Sequence, residues 1–203
     1  MKNNNLIRFV QSLILLPVMT FSIGNTHSIE IPQNVLVQKL NSTVSGALAF
    51  NQALDSETKD QKAKAEAIDA YFRERKMPLE GTGAKMVEEA ARNELDWRLL
   101  PAIAVRESTG GKFECKKVSN NAFGWGSCKI GFESNEKAIE VVAKNLGGNN
   151  PKTARHYDDK TTKEILRAYN PPSIVPKYVD QVISIMDTIG DADMNPTLAI
   201  ASA

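Results

Sequence analysis

A glutamate at the end of an apolar helical run is the residue in this chain best placed to do chemistry. Glu107 follows the segment LLPAIAVR at 99–106. On a helix its carboxylate shares one face with Ala104, Ile103 and Leu100, which are expected to pack into a core. Desolvation there and the negative end of the helix dipole both raise a carboxyl pKa. Such a carboxyl stays protonated near neutral pH and can act as a general acid.

Position alone leaves a plainer alternative open for this residue. Glu107 could be an ordinary solvated glutamate in the fraying last turn of a helix, beside Arg106. The interpretation therefore depends on the segments that accompany it along the chain.

Three segments, taken in order, resemble the lysozyme-like superfamily. They are Arg106-Glu107-Ser108, Asn121-Ala122-Phe123-Gly124-Trp125-Gly126 and Ala168-Tyr169-Asn170. The resemblance is to the lytic transglycosylase and bacterial endo-β-N-acetylglucosaminidase branches, where a Glu-Ser pair ends a buried helix. In those families a glycine-containing loop faces the glutamate, and an Ala-Tyr-Asn segment ends a later helix near the sugar site. The similarity covers about residues 81–190 and implies a mainly α, lysozyme-like domain that cleaves peptidoglycan outside the cytoplasm.

The resemblance implies two catalytic residues. Glu107 would protonate the leaving oxygen of a β-1,4 glycosidic bond. The Tyr169 phenol would hydrogen-bond this acid or the developing charge. The alternative for Tyr169 is simple packing against Ile165, one turn before it.

A second group of residues is expected to bind the sugar. Trp125 offers a flat apolar face to a ring, and the backbone at Gly124 can approach a ligand because no side chain intervenes. Ser108 and Asn170 complete the expected substrate-binding set. Trp125 could instead pack in the core, and Phe123 is expected there. Ser108 could also orient the Glu107 carboxylate, or it could merely cap its helix.

Hydrolysis by the usual routes needs a second carboxylate. The downstream candidates, none of which lies in a matching motif, are Glu114, Glu133, Glu136, Asp158 and Asp159. In the glucosaminidase branch the second acid belongs to a small β-hairpin, whereas here that region is short, bounded by cysteines and poor in acids. A lytic transglycosylase needs one glutamate, which acts as acid and then base while the C6 hydroxyl of the sugar closes a 1,6-anhydro ring. We therefore favour transglycosylation, with a hydrolase and a non-catalytic glycan-binding or partner-binding module as alternatives.

The elements that position these residues follow a predicted export signal. Lys2 and Arg8 precede an apolar stretch at 9–23, and Thr26 and Ser28 then provide small residues at −3 and −1 of a cleavage site. The stretch is shorter than the roughly 20 residues of a membrane span. We expect residues 1–28 to be removed and the protein to reach the periplasm, cell envelope or exterior; an uncleaved N-terminal anchor is the alternative.

Export changes the interpretation of the two cysteines. Cys115 and Cys128 would meet an oxidising compartment in which a disulfide persists. A bridge would close the loop that follows Glu107 and contribute about 3 kcal/mol in the chain-entropy model; two packed free thiols are the alternative. No metal site or other cofactor is expected, because two cysteines fall short of four zinc ligands. His27 would leave with the signal, and His156 would have no histidine near it.

Composition limits the partners. The chain has 203 residues, of which 42% are hydrophobic, enough for one domain with a core and additional segments. Its 25 basic residues nearly balance 24 acidic ones, so no global field attracts nucleic acid. We expect a monomer that binds peptidoglycan glycan strands, with the N-terminal helices as a candidate surface for a protein partner.

Apolar periodicity predicts a mainly α chain. Residues 29–80 form a helical spacer with two helices, Val35–Ala53 and Thr58–Lys76. A proline and two glycines then mark a boundary, so the lysozyme-like domain is expected over 81–190, followed by a flexible tail over 191–203.

Within the lysozyme-like domain several helix boundaries can be predicted. Asp96 is expected to cap the helix that leads to Glu107, with Pro101 causing either a kink or a later start. Clustered glycines and asparagines between Ser108 and Phe132 predict a shaped loop or a very small sheet. Three further helices are expected from Ser134 to the Gly147-Gly148 stop, from a Thr161–Glu164 capping box to Tyr169, and from Pro176 to Ile189.

Overall fold

The structure is a computed structural model that describes the backbone of residues 33–194 and the side chains of residues 52–191. The chain divides into two units, residues 1–47 and 48–203. The described part of the first unit is helical, and every candidate site residue belongs to the second. The expected signal, residues 1–28, and most of the expected tail lie outside the described residues.

Helices make up the regular secondary structure, which confirms the mainly α prediction. Over residues 33–194 the structure contains no strand, so the stretch after Ser108 is a shaped loop rather than a small sheet. A single 3₁₀ turn, Trp125–Cys128, interrupts that loop. The seven described α-helices are α1 (Gln33–Glu74), α2 (Gly83–Arg92), α3 (Leu99–Ser108), α4 (Asn135–Leu146), α5 (Ala154–Tyr157), α6 (Thr162–Tyr169) and α7 (Tyr178–Met194).

Several helix boundaries differ from the prediction. The two expected N-terminal helices form one, α1, because the segment LDSE at 54–57 contains neither proline nor glycine to break it. Helix α7 starts at Tyr178 and continues past Gly190 to Met194, since one interior glycine costs only about 1 kcal/mol. Helix α5 was not predicted, because a single turn is too short to show apolar periodicity.

The start of α3 also differs. The N-cap position is held by Arg98, and the Asp96 carboxylate accepts a hydrogen bond from the Arg98 N–H (2.9 Å) and pairs with its guanidinium (2.7 Å), so the predicted Asp96 cap is wrong. Pro101 is the third residue of α3. Its missing N–H would have no intrahelical partner in the first turn, so neither a kink nor a later start is needed.

Other predicted helix ends are confirmed. The Ser134 hydroxyl accepts the Lys137 N–H (3.2 Å) at the start of α4, which ends before Gly147. Thr161 and Glu164 form both halves of a capping box at the start of α6. These local signals fix the two helices that lie on either side of the α5 turn.

Helix α3 is buried on all sides for most of its length. All residues from 99 to 104 are buried, as expected for a helix that is apolar all round. Helix α3 packs mainly against α7, while α2 packs against α4 and α6 against α7. A polar side chain near the end of α3 therefore lies beside a desolvated surface.

The end of α1 belongs to the same core. Ile68 and Phe72 are fully buried and join the apolar cluster that includes α3 and α7. Asp69 also accepts hydrogen bonds from the N–H groups of Gly81 (2.8 Å) and Gly83 (2.9 Å), where its carboxylate satisfies donors at the start of α2. The core thus begins before the boundary expected at residue 81.

Within residues 33–194, no helix has both the length and the apolar character that a membrane crossing requires.

Truncation of Ile68 tests whether the end of α1 is part of the core. We expect Ile68→Ala to lower the free energy of unfolding by about 2–5 kcal/mol, because it leaves a cavity at a fully buried position. Leu54→Ala on the same helix is the matched control: Leu54 is 49% exposed, and the expected change is within about 0.5 kcal/mol. Urea unfolding would measure both, and equal effects would contradict the described packing.

Candidate active site

Glu107 lines an open cavity of about 500 Å³ at the end of α3. The cavity wall is built from the ends of short helices and from loops, and its members are Glu107, Gly124, Trp125, Gly126, Ser127, Thr153, His156, Tyr157, Tyr169, Asn170, Pro171 and Ile174. Among these described lining residues Glu107 is the single carboxylate. The wall combines one acid, three large aromatic rings and several small polar groups, a lining suited to a neutral ligand with apolar faces.

The Glu107 carboxylate is half-buried and hydrogen-bonded. The Tyr178 hydroxyl donates to its Oε1 atom (2.7 Å). Burial raises the pKa of the Glu107 carboxyl above its usual range, while the Tyr178 hydrogen bond and the Arg106 charge act in the opposite direction and offset part of that rise. A carboxyl in this state can carry a proton at a pH where an exposed glutamate has lost it.

Tyr178 is a site residue that the sequence did not reveal. It lies at the first position of α7, on the same face as Val182 and Met186, and is 1% exposed. Its spacing is that of a core residue. A buried tyrosine nevertheless needs a hydrogen-bond partner for its hydroxyl. This requirement was the one sequence signal that could have indicated a polar contact for Tyr178. The ring stacks on Tyr169, with centroids 6.1 Å apart and planes at 13°.

Tyr169 lines the cavity but does not bind the acid. Its hydroxyl donates a hydrogen bond to the backbone oxygen of Phe123 rather than to Glu107, so the expected contact between the two side chains is corrected. Burial, the charge of Glu107 and the neighbouring Tyr157 raise the pKa of the Tyr169 phenol well above its usual value. Tyr169 is therefore a neutral donor that holds the loop facing the glutamate.

Gly124 brings the backbone of this loop against the carboxylate. It has a φ of 64°, in the left-handed region. A Cβ atom at this position would lie 3.0 Å from Glu107 Oε2. Both the backbone conformation and the space favour glycine here, so a ligand in the cavity could approach Gly124 and Oε2 together.

Ser108 and Asn121 hold the loop from inside the protein. The buried Ser108 hydroxyl donates to the Ala122 backbone oxygen (2.7 Å) and accepts the Gly111 N–H (2.9 Å). These partners occupy the hydroxyl, and it does not line the cavity, so the expected substrate contact of Ser108 is not supported. The fully buried Asn121 amide accepts the Trp125 N–H (2.9 Å) and donates to the Trp125 backbone oxygen (2.9 Å).

Trp125 forms an aromatic wall with two tyrosines. Its ring centroid lies 5.8 Å from that of Tyr169 and 6.3 Å from that of Tyr157, with tilted planes. The side chain is half-buried, and it both packs on the core and lines the cavity. The sequence left open whether Trp125 lines a binding site or packs in the core, and in the structure the same ring does both.

Polar groups line the part of the wall that includes α5 and the end of α6. Asn170 follows the last residue of α6 and lines the cavity, as expected for a binding residue. Thr153 and His156, neither of which was predicted, also line it. His156 Nε2 accepts a hydrogen bond from Arg155 Nε (2.9 Å).

The predicted disulfide between Cys115 and Cys128 is present, with Cα atoms 5.4 Å apart. Cys128 ends the 3₁₀ turn that begins at Trp125. Gly126, Ser127 and Cys128 all have positive φ values, a run that is unfavourable for residues other than glycine. The cross-link ties this turn to the segment that follows α3.

The candidate second acids lie away from the cavity wall. None of the five downstream carboxylates considered from the sequence lines it in the described structure. Over the described residues no cluster of three or more histidine, cysteine, aspartate or glutamate side chains has the arrangement of a metal site. Glu107 therefore supplies the one carboxyl group of the described wall, on which His156 is the other side chain of an acid–base type.

No protein-family model, curated protein sequence or solved structure matches this chain. The cavity wall contains residues of all three sequence segments: Glu107 of the first, Trp125 of the second and Tyr169 of the third.

Removal of the Tyr178 hydroxyl should raise the pKa of Glu107. The hydrogen bond favours the charged carboxylate, so Tyr178→Phe removes a stabilising contact of that form. Tyr169→Phe is the matched control, because its hydroxyl binds a backbone oxygen. A ¹³C NMR titration of the Glu107 carboxyl would show a larger rise in Tyr178→Phe than in Tyr169→Phe; an unchanged or lowered pKa in Tyr178→Phe would contradict the assignment.

A methyl group at Gly124 should disturb the carboxylate directly. Gly124→Ala places a Cβ atom 3.0 Å from Oε2 and is expected to raise the Glu107 pKa by excluding solvent. Gly81→Ala is the control, since Gly81 also has a positive φ but has no atom within 4 Å of the added Cβ. Both variants should lose about 1–2 kcal/mol of stability from the left-handed backbone. The same NMR titration measures the Glu107 pKa in both variants. Equal pKa values would refute the close approach of Gly124 to the carboxylate.

Proposed function

We propose that the protein is an exported enzyme that cleaves the β-1,4 glycan strand of peptidoglycan, and that it acts as a single-glutamate lytic transglycosylase of the lysozyme-like type. The observation that carries the proposal is Glu107, a half-buried carboxylate with a raised pKa that is the one acid on the described cavity wall. The resemblance of the three segments supports it, since residues of all three lie at or directly beside this cavity.

The first step uses Glu107 as a general acid. Its proton passes to the oxygen that links N-acetylmuramic acid to N-acetylglucosamine, and the bond from that oxygen to C1 breaks. The Glu107 carboxylate that remains is stabilised by the hydrogen bond from Tyr178 and by the nearby Arg106 charge. These contacts favour the charged form that develops during bond cleavage.

The second step uses the same carboxylate as a base. It takes the proton of the C6 hydroxyl on the muramic acid unit, and the C6 oxygen bonds to C1 to close the 1,6-anhydro ring. Glu107 is protonated again at the end, so no water and no second acid enter the reaction. This route is consistent with a described cavity wall that contains one carboxylate.

The remaining wall residues would bind the strand. Trp125 and Tyr157 provide aromatic faces for sugar rings, and Asn170, Thr153 and His156 provide polar groups for hydroxyl and acetamido substituents. Ser108 and Tyr169 would act through the loop, since they bind the backbone oxygens of Ala122 and Phe123, the two residues that precede Gly124. The disulfide supports an exported location, because such cross-links persist in oxidising compartments.

Replacement of Glu107 by glutamine tests the proposal. Glu107→Gln keeps the shape and an acceptor for Tyr178 but has no transferable proton, so release of muropeptides from purified sacculi should fall by roughly 10²–10⁴-fold. Glu114→Gln, an exposed residue outside the cavity, should retain full activity. Thermal melting of both variants would check that the fold persists, and full activity of Glu107→Gln would refute the assignment.

The products distinguish the proposed reaction from its alternatives. Muropeptides with 1,6-anhydro ends indicate a transglycosylase, whereas reducing ends indicate a hydrolase with a second catalytic group. Intact sacculi that retain the bound wild-type protein would indicate a glycan-binding module instead. Chromatography with mass spectrometry of the digest would separate these three results.

A further inference from the structure

Three exposed lysines belong to the loop that supplies part of the cavity wall. Lys116 and Lys117 follow Cys115, and Lys129 follows Cys128. We refer to these three residues as the loop lysines. Because the disulfide holds the Cα atoms of the two cysteines 5.4 Å apart, Lys116 and Lys129 lie on neighbouring stretches of chain.

Hydrogen bonds keep these two stretches together beyond the disulfide. The Phe132 N–H donates to the Ser119 backbone oxygen (3.0 Å), and the Asn120 side chain donates to the Phe132 backbone oxygen (2.9 Å). A Cβ atom on Gly131 would also lie 3.3 Å from the Ser119 nitrogen. The loop lysines therefore project from one cross-linked surface rather than from separate parts of the protein.

The charge of this surface is not balanced locally. The segment 115–132 contains no aspartate or glutamate, and the flanking acids are Glu114 and Glu133. Among the described residues none of the loop lysines has an ion-pair partner within 4.0 Å. Since the whole chain carries a formal charge of only +1, the excess of positive charge here is a property of this segment and not of the chain as a whole.

The same loop continues into the cavity. Gly124, Trp125, Gly126 and Ser127 line it, and Ser127 is two positions before Lys129. A polymer bound in the cavity would therefore extend its side branches towards the loop lysines. An anion recognised there would be carried by the molecule that occupies the cavity.

We propose that the loop lysines bind the carboxylates of the peptide stems that branch from the glycan strand. This inference rests on the proposed function and specifies its substrate as strands that still carry their stems. The glycan backbone is uncharged where its lactyl groups are joined to peptide, so the stems supply the negative charge. Each exposed lysine–carboxylate contact is weak and sensitive to salt, and three adjacent lysines act on one strand together.

Binding to two forms of the wall polymer tests the inference. The full chain carrying Glu107→Gln would be sedimented with intact sacculi and with glycan strands stripped of peptide by an amidase, whose freed lactyl carboxylates are then blocked as methylamides so that the stripped strands carry no charge. We expect K116Q/K117Q/K129Q to bind intact sacculi about tenfold more weakly at low ionic strength and to match its parent on stripped strands. The difference should disappear at about 1 M salt, where charges are screened within roughly 3 Å.

A second triple variant is the matched control. K59Q/K62Q/K163Q removes the same charge from exposed lysines on α1 and α6 that also have no ion-pair partner within 4.0 Å among the described residues. Equal losses in the two triple variants would overturn the inference, as would an equal loss on stripped strands. Loss of binding to phosphatidylglycerol vesicles with unchanged binding to sacculi would also overturn it, because the lysines would then serve a membrane surface.

The result can be separated from that of the proposed function. If wild-type protein releases no muropeptides from either polymer, the proposed enzyme activity fails while the binding comparison still decides the role of the loop lysines. If wild-type protein cleaves sacculi and the two triple variants bind sacculi equally well, the proposed enzyme activity stands and the contact between the loop lysines and the stems is refuted.

Discussion

The burial of α3 is the constraint on which the rest of the site depends. A helix that is apolar all round has no solvated face, so a carboxylate near its end must share the desolvated surface with the core. Two contacts reduce the free-energy cost of desolvating this carboxylate. Tyr178 at the start of α7 donates a hydrogen bond to one carboxylate oxygen, and the other oxygen faces Gly124 and the cavity. The packing of α3 against α7 thus both raises the pKa of Glu107 and supplies the group that stabilises its charged form.

The loop that faces Glu107 is held by side chains whose hydroxyl and amide groups bind the protein backbone. The consecutive backbone oxygens of Ala122 and Phe123 accept hydrogen bonds from Ser108 and Tyr169, and Asn121 binds both backbone groups of Trp125. These contacts place Gly124 against the carboxylate and turn the Trp125 ring into the cavity wall. In this arrangement the disulfide fixes the far end of the same turn, where three residues in succession have positive φ. The site is therefore preorganised by backbone contacts, as electrostatic catalysis requires.

Local sequence signals predicted much of the fold because capping boxes, glycine stops and apolar periodicity act within one helix. They located the start of α4, both ends of α6 and the irregular loop between them and α3. Contacts between residues far apart in the sequence were not predicted, because these signals act within one helix. Tyr178 has the spacing of a core residue, and only the packing of α7 on α3 directs its hydroxyl to Glu107. Likewise, the tyrosine expected at the acid, Tyr169, binds a backbone oxygen 46 positions away. The apolar run before residue 107 predicted a desolvated carboxyl with a raised pKa, whereas the partners of that carboxyl depend on tertiary contacts.

In the proposed reaction Glu107 acts as both acid and base, and no activated water takes part. Digestion of sacculi in water enriched in ¹⁸O distinguishes this route from hydrolysis, because the attacking oxygen then comes from the substrate and not from the solvent. We expect muropeptide ends that are lighter by one water than hydrolytic ends and contain no ¹⁸O. Newly formed reducing ends that contain ¹⁸O would contradict it and would show that a water molecule attacks C1.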